Sequence, residues 1–541
     1  MKRSAEGSGR IPVPSRAGGP LLTAGDAVVP ASALLRWLGL AAGPLAALGL
    51  YAFLAEADGL SEAGRRTLCA AAWMALWWIT EALPIEATAL LPLCVFPLLG
   101  IADMEATAAP YANPVIFLFL GGVMLGAAME RWGLHRRLAL LAMLAVGTRP
   151  AQLVGGIMLA TAAISMWVSN TATAVMMLPI GMSLVQFASG RGRSGANFAK
   201  CMMLGIAYAA TIGGIGTVIG TPPNAVAMGF IVRRYGVEIG FLEWLKIGLP
   251  ILIVFLPLAW LCLVKLVFPC PGAPVSGARA LIQEELRALG PPSRGEALTG
   301  VVFLLAAAAW VLRQPLAGML GLVDRPAGAP PEYLLTDAGI AMIAALLLFT
   351  LPVDARSRTF VLEWKDAARL PWGVLILLGG GLTLAAAFGA NGVDRYIGGG
   401  FEALSGLPVL AVVGIVAAVV VFTTEFGSNT AVVNIFLPIV AAAAVDLGIH
   451  PYLLIFATAL AASYAFMMPM GTPPNALAFA SGHLHVPDMA KAGFLLNLLS
   501  ILVITLFIYY AAPVLLGFDI TGGADREGAV APGFPACRGV T

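Results

Sequence analysis

Two related stretches govern the fold of this chain: ISMWVSNTATAVMMLPI at residues 164–180 and TTEFGSNTAVVNIFLPI at residues 423–439. Both contain the triplet Ser-Asn-Thr, followed by an apolar run that ends in Leu-Pro-Ile. A second pair lies further along, GGIGTVIGTPPNAVAMGF at residues 213–230 and MMPMGTPPNALAFA at residues 467–480. The two pairs occur in the same order about 250–260 residues apart, so we predict a chain of two repeats.

The composition places this chain in a membrane. Of its 541 residues, 60% are hydrophobic and only 11% are charged, whereas soluble domains carry about 25% charged residues. Many apolar stretches are long enough to cross a bilayer as helices, which takes about 17–25 residues. The net charge of +2 excludes the strongly basic surface that nucleic-acid binding requires.

Four apolar regions are interrupted by polar residues or by Pro-Pro pairs. Backbone N–H and C=O groups need hydrogen-bond partners within the membrane, so unwound chain persists there only beside a cavity or inside protein. We therefore predict re-entrant hairpins at 151–188 and 407–445, and broken helices at 198–231 and 452–481. Matching interruptions in two halves are the best sequence indication of a transporter binding site.

These interruptions also suggest what is bound. Helix N-termini favour anions, and the carbonyls at helix C-termini favour cations. Neither the Ser-Asn-Thr nor the Gly-Thr-Pro-Pro-Asn blocks contain Lys or Arg, so helix ends and bound cations must balance an anion. A single block could be no more than a kink in an ordinary helix, but four paired blocks in repeat order favour a site.

The paired motifs resemble those of the divalent anion/sodium symporter family, the carriers of dicarboxylates, citrate and sulfate. The resemblance extends from about Leu34 to Phe518. It implies an all-α polytopic membrane protein of two inverted repeats, with about eleven transmembrane helices, two re-entrant hairpins and broken helices at the site. It further implies a homodimer in which a transport domain moves like an elevator against a fixed scaffold domain.

The resemblance also implies the site residues. The anion would be bound by the two triplets and their neighbouring breaks: Ser169, Asn170, Thr171, Thr221, Pro222, Ser428, Asn429, Thr430, Thr472 and Pro473. Sodium, at two or more sites, would be bound by two further sets: Ser165, Ser169, Asn170 and Gly220 in the first, and Thr424, Gly427, Asn429 and Gly471 in the second. Ser165 and Thr424 each precede a triplet serine by four residues, one helical turn.

The chain divides at a polar segment. We predict a disordered cytoplasmic tail over 1–32, a first membrane repeat over 33–269, a cytoplasmic linker over 270–296, a second repeat over 297–518 and a flexible tail over 519–541. The Lys and Arg residues of the short loops favour a cytoplasmic amino terminus. We expect a multi-pass protein of the bacterial inner membrane.

The function expected is import of a C4-type dicarboxylate, of the succinate, malate and fumarate class, coupled to sodium. Both triplets end in Thr, which in the family favours dicarboxylate. Two alternatives stay open: sodium-independent dicarboxylate exchange, and transport of sulfate or another divalent anion.

An enzyme is not expected, because the HExxH, GxSxG and GxxxxGK[ST] motifs do not occur in the sequence. One acidic residue, Glu425, lies inside an apolar region, where a carboxylate is a functional candidate. The sequence leaves open whether it tunes the second ion site, binds a proton or satisfies hydrogen bonds at a helix end.

Overall fold

The structure of the protein, a computed structural model, describes residues 31–56, 59–188, 192–272, 274–275, 277–324, 332–399, 401 and 406–520. The predicted tails, 1–32 and 519–541, lie outside these ranges except at their inner ends. There, residues 31 and 32 already belong to the first helix, and His450 N donates to the carbonyl of Ile520 (3.1 Å).

The described residues are mainly helical. The α-helices are α1 (Ala31–Phe53), α2 (Glu62–Thr80), α3 (Ile85–Thr88), α4 (Leu91–Leu98), α5 (Met104–Ala108), α6 (Pro114–Trp132), α7 (Leu134–Leu144), α8 (Pro150–Ser165), α9 (Asn170–Ala188), α10 (Gly192–Gly214), α11 (Pro222–Tyr235), α12 (Phe241–Leu261), α13 (Ala278–Ala288), α14 (Arg294–Val311), α15 (Arg313–Met319), α16 (Asp337–Thr350), α17 (Trp364–Ala367), α18 (Trp372–Ala390), α19 (Val393–Gly398), α20 (Val409–Thr424), α21 (Asn429–Asp446), α22 (Pro451–Ala462), α23 (Pro473–Ala480), α24 (Val486–Tyr510) and α25 (Ala512–Leu516).

Short strands occur only at loops within the described part of the chain. Strand β1 (Val323–Asp324) pairs antiparallel with β2 (Glu332–Tyr333), and β3 (Pro352–Asp354) pairs antiparallel with β4 (Thr359–Phe360). A π-helical turn, Cys262–Val267, extends α12.

Six helical segments of the described chain are long and apolar enough to cross a membrane. They are Met104–Trp132, Phe241–Val267, Arg294–Val311, Trp372–Ala390, Asn429–Asp446 and Val486–Tyr510. Several shorter apolar helices accompany them, among them α8, α16, α20 and α22.

One apolar stretch that is long enough to cross a membrane, residues 84–101, is divided into two helices. It forms α3 and α4, which are separated by a turn at Ala89 and Leu90. Proline explains the division, because Pro92 has no N–H to continue the helical hydrogen bonds of the preceding turn. The indole N–H of Trp78 donates to the carbonyl of Ile85 (3.1 Å), the first residue of α3.

The two halves contain the same series of interrupted elements. In the first, α8 and α9 form a helical hairpin, and α10 and α11 are two helices separated by an unwound join at 215–221. In the second, α20 and α21 form the hairpin, and α22 and α23 flank a join at 463–472. Helix α10 packs against α8, α9 and α23, and α11 packs against α21 and α22. The interrupted elements of the two halves are therefore in direct contact.

Candidate functional site

A cavity of about 940 Å³ lies between the tips of the two hairpins and the two unwound joins. It is lined by 13 of the 15 residues predicted as site residues: Ser169, Asn170, Thr171, Gly220, Thr221, Pro222, Gly427, Ser428, Asn429, Thr430, Gly471, Thr472 and Pro473. The other two, Ser165 and Thr424, do not line it. Both are fully buried and contact the triplet asparagines instead.

Four helices begin at this cavity. Helices α9 and α21 start at Asn170 and Asn429, and α11 and α23 start immediately after Thr221 and Thr472. All four starts present the positive end of a helix dipole. The first turns of α9 and α21 also carry N–H groups without partners inside the helix, whereas α11 and α23 begin with two prolines, which have no N–H. The cavity therefore favours an anion although the four motif blocks contain no basic side chain.

Three oxygen atoms converge behind the first triplet. Ser165 Oγ lies 2.7 Å from Asn170 Oδ1 and 2.7 Å from the carbonyl oxygen of Ala210. A hydroxyl has one hydrogen and can donate to only one of these acceptors. Such a group of oxygens at the C-terminal end of α8 is suited to a bound cation.

The second triplet is associated with the same three kinds of oxygen atom. Thr424 Oγ1 lies 2.7 Å from Asn429 Oδ1 and 2.9 Å from the carbonyl oxygen of Ala462, which ends α22. The amide nitrogen of Asn429 faces the carbonyl of Ser463 at 3.5 Å. Each half of the chain thus contributes one group of a hydroxyl, an amide oxygen and a main-chain carbonyl.

The asparagines of the Gly-Thr-Pro-Pro-Asn blocks hold the joins in place. Asn224 Nδ2 donates to the carbonyls of Gly214 (3.1 Å) and Thr217 (2.7 Å). Asn475 Nδ2 donates in the same way to Ala465 (3.0 Å) and Met468 (3.1 Å). Both side chains are fully buried, and they satisfy carbonyls that the unwound chain leaves without helical partners.

The remaining walls of the cavity come from other helices. Phe119, Val123 and Ala127 of α6 form an apolar side. The charged residues that line the cavity are Arg36, Glu81, Glu130 and Arg369. Arg36 lies 3.8 Å from Glu81, and all four lie outside the motif blocks.

A profile described as the sodium:sulfate symporter transmembrane region matches residues 36–517 of this chain. The chain belongs to the sodium:sulfate symporter family.

Proteins of staphylococci are similar over nearly the whole length. One from Staphylococcus saprophyticus is 40% identical over 491 residues, covering 90% of this chain and 93% of the relative. One from Staphylococcus aureus strain USA300 is 39% identical over 490 residues, covering 89% and 92%. Both are named sodium-dependent dicarboxylate transporter SdcS.

Two solved structures share the fold. MtrF of Neisseria gonorrhoeae, reported within a class of antimetabolite efflux pumps, superposes with a TM-score of 0.56 at 14% identity, covering 84% of this chain and 96% of MtrF. The YdaH transporter of Alcanivorax borkumensis gives a TM-score of 0.50 at 16% identity, covering 89% and 98%. At such low identity these likenesses concern the fold alone.

Membership of the symporter family confirms the resemblance drawn from the paired motifs. It also confirms that the chain is a helical integral membrane protein and a transporter rather than an enzyme. The inverted relation of the repeats, the domain limits and the roles of the site residues stay predictions.

Glu425, whose role the sequence left open, is a hydrogen-bond acceptor in the second repeat. Its carboxylate accepts from the backbone N–H groups of Phe466 (2.7 Å), Met467 (2.9 Å) and Met468 (3.0 Å). The side chain of Asn497 donates to it as well (2.7 Å). It therefore fixes the join between α22 and α23.

Sequence reasoning missed several contributors to this symporter's site. Asn224 and Asn475 are part of the quoted Gly-Thr-Pro-Pro-Asn blocks but were not predicted as site residues. Their position directly after Pro-Pro in both repeats could have identified them. Phe119 and Val123 carried no usable signal, because every face of α6 is apolar. Tyr208 was equally hidden; its hydroxyl donates to the carbonyl of Phe466 (2.9 Å) and so links α10 to the join of the other repeat.

Proposed function

We propose that this chain imports a C4-type dicarboxylate together with sodium. The observation that carries the proposal is the single cavity at which four helices begin, flanked by two equivalent groups of three oxygens. The helix starts and the side chains of Ser169, Asn170, Thr171 and their counterparts Ser428, Asn429 and Thr430 bind the doubly negative substrate. Thr221, Pro222, Thr472 and Pro473 complete its surroundings.

Sodium binds at the two oxygen groups. Ser165, Ser169 and Asn170 form the first site with the backbone at Gly220, and Thr424, Asn429 and the backbone at Gly427 and Gly471 form the second. Each site lies beside one end of the anion, so the positive ions balance a charge that the protein does not neutralise with Lys or Arg. This arrangement couples the two species, because each lowers the electrostatic cost of burying the other.

A dicarboxylate is favoured over sulfate, although the family description names sulfate. Two triplets face one cavity, which suits a substrate with a carboxylate at each end. The two staphylococcal relatives described above are named as dicarboxylate transporters. Within this class, succinate, malate and fumarate present the same two carboxylates.

The wider architecture follows from the family resemblance. The chain forms a homodimer in the bacterial inner membrane, with its amino terminus in the cytoplasm, and its transport domain moves like an elevator. Arg369 lines the cavity, and so does Glu130, the chain neighbour of Arg131. Because basic residues collect on the cytoplasmic side of membrane proteins, these positions support a cavity that faces the cytoplasm.

Uptake into proteoliposomes tests the proposal. Labelled succinate should accumulate when sodium is outside, and should not when sodium is replaced by potassium or choline. Unchanged uptake in choline would reject sodium coupling, and strict dependence on internal dicarboxylate would indicate exchange. If excess sulfate inhibited the uptake of labelled succinate as strongly as excess unlabelled succinate does, the preference for a dicarboxylate would be rejected.

A further inference from the structure

Glu425 is a buried acidic residue at the edge of the proposed second sodium site. Its side chain belongs to a residue that is 1% exposed, and it directly follows Thr424. A Cβ placed on Gly471, whose backbone belongs to the same site, would lie 3.1 Å from Glu425 Oε2. The carboxylate is therefore adjacent to the position of the second ion.

Glu425 has no basic partner among the residues that the structure describes. Its four donors are three backbone N–H groups and the amide of Asn497, all of them neutral. Hydrogen bonds of this kind reduce the cost of burying a carboxylate, but they leave its formal charge without a counter-charge. A cation in the adjacent site would supply one.

The first repeat has no equivalent charge. The residue that follows Ser165, as Glu425 follows Thr424, is Met166. The two sites thus share their oxygen groups and differ in one negative charge.

We propose that Glu425 is a positioning residue that makes the second sodium site the tighter of the two, so that it fills first. This inference rests on the proposed sodium-coupled function. Glu425 acts in two ways: its hydrogen bonds shape the join that carries Gly471, and its charge attracts the ion. The first site, which lacks an acid, then fills at higher sodium concentration, when the dianion can add its own negative charge.

Sodium binding to the purified full-length protein, without substrate, provides the test. The thermal unfolding midpoint is measured in detergent across a range of sodium concentrations, with choline holding the ionic strength constant. In Glu425→Gln the sodium concentration that gives half of the stabilisation should rise about 10- to 100-fold, as expected for removing a unit charge a few ångströms away at an intermediate dielectric constant. Glu425→Asp keeps the charge and should restore most of the wild-type response.

A purely structural role predicts a different result. Glu425→Gln would then lower the unfolding midpoint in sodium-free buffer and leave the half-saturating sodium concentration as in wild type, which would overturn the inference. Absence of any sodium effect on the wild-type protein would instead reject the proposed sodium coupling itself, and the inference with it.

A matched pair of variants tests the order of filling without altering Glu425. Thr424→Val and Ser165→Ala each remove the hydroxyl of one oxygen group. If the second site fills first, Thr424→Val abolishes the stabilisation at low sodium, whereas Ser165→Ala removes only the part gained at high sodium. Equal effects of the two substitutions, or a larger effect of Ser165→Ala at low sodium, would contradict the proposal.

Discussion

Each triplet asparagine belongs to both a proposed anion site and a proposed sodium site. Asn170 begins α9 and Asn429 begins α21, so each presents a helix start to the cavity. At the same time each directs its amide oxygen to a buried hydroxyl, Ser165 or Thr424, at 2.7 Å. One side chain therefore connects the proposed anion site to a proposed sodium site, and substrate binding becomes sensitive to sodium.

Replacing either asparagine by alanine should impair uptake severely. Asn170→Ala and Asn429→Ala each remove a polar group facing an ion, and such hydrogen bonds contribute about 1.5–3 kcal/mol. We expect succinate uptake at low substrate to fall about 10- to 100-fold in each variant. Asn197→Ala, whose amide bonds to the carbonyl of Pro269 away from the cavity, is the control. Near-normal uptake by either triplet variant would count against its role.

The two glycines of the proposed ion sites should differ in their tolerance of a side chain. A Cβ at Gly220 would overlap the backbone carbonyl of Gly214, whereas at Gly471 the nearest atoms lie 3.1 Å away. Gly220→Ala must displace the first join, so we expect it to lose more sodium-dependent uptake than Gly471→Ala. Uptake measured against sodium concentration decides this, and a greater loss in Gly471→Ala would contradict the described packing.

At the scale of elements, the glycines of α18 let neighbouring helices approach closely. A Cβ at Gly380 would overlap the carbonyl of Ala89 beside α3, and one at Gly381 would overlap the side chain of Asn434 in α21. At these glycines the structure shows close packing. Because α21 belongs to a hairpin of the site, a change at this contact would also displace the site.

Gly381→Ala should therefore slow transport. Overpacking typically costs about 1–3 kcal/mol, and we expect about a tenfold loss of succinate uptake from the displaced contact with α21. Gly49→Ala in α1 is a matched control, because no atom lies within 4 Å of the added Cβ there. Equal uptake by the two variants would show that the α18–α21 contact does not limit movement.

The sequence was informative about elements where polar residues interrupt apolar ones. The triplets and the Pro-Pro pairs predicted which residues would gather at the cavity, because unwound chain in a membrane needs partners that only such a place provides. The sequence could not predict the division between α3 and α4 at Ala89 and Leu90. The prolines of that apolar run look no different in sequence from those of α12, which contains two prolines and stays one helix. The sequence also could not show that the Glu425 carboxylate accepts hydrogen bonds from three backbone N–H groups. These groups belong to residues 466–468, and their approach to Glu425 depends on how the chain folds between α22 and α23.

At the scale of the whole molecule, the cavity is predicted to open toward the cytoplasm. Glu130, at the end of α6, lines it beside Arg131, which forms ion pairs of 2.6 Å with Glu363 and Asp366. Basic residues collect on the cytoplasmic side of membrane proteins. We therefore expect the substrate site to be accessible from the cell interior.

Cysteine labelling tests this orientation. A cysteine replacing Glu130 should react with a membrane-impermeant maleimide in inside-out vesicles and stay unreactive in intact cells. The parent protein needs serine in place of Cys94, which is exposed, and of Cys537, which lies outside the described residues. Labelling confined to intact cells would reverse the predicted orientation.

We propose that both repeats bind one dianion in one cavity. A cryo-electron microscopy structure determined with sodium and succinate measures this directly. We predict density for one elongated anion in contact with both Asn170 and Asn429. Succinate bound against one triplet only, with the other facing lipid or empty solvent, would contradict the account.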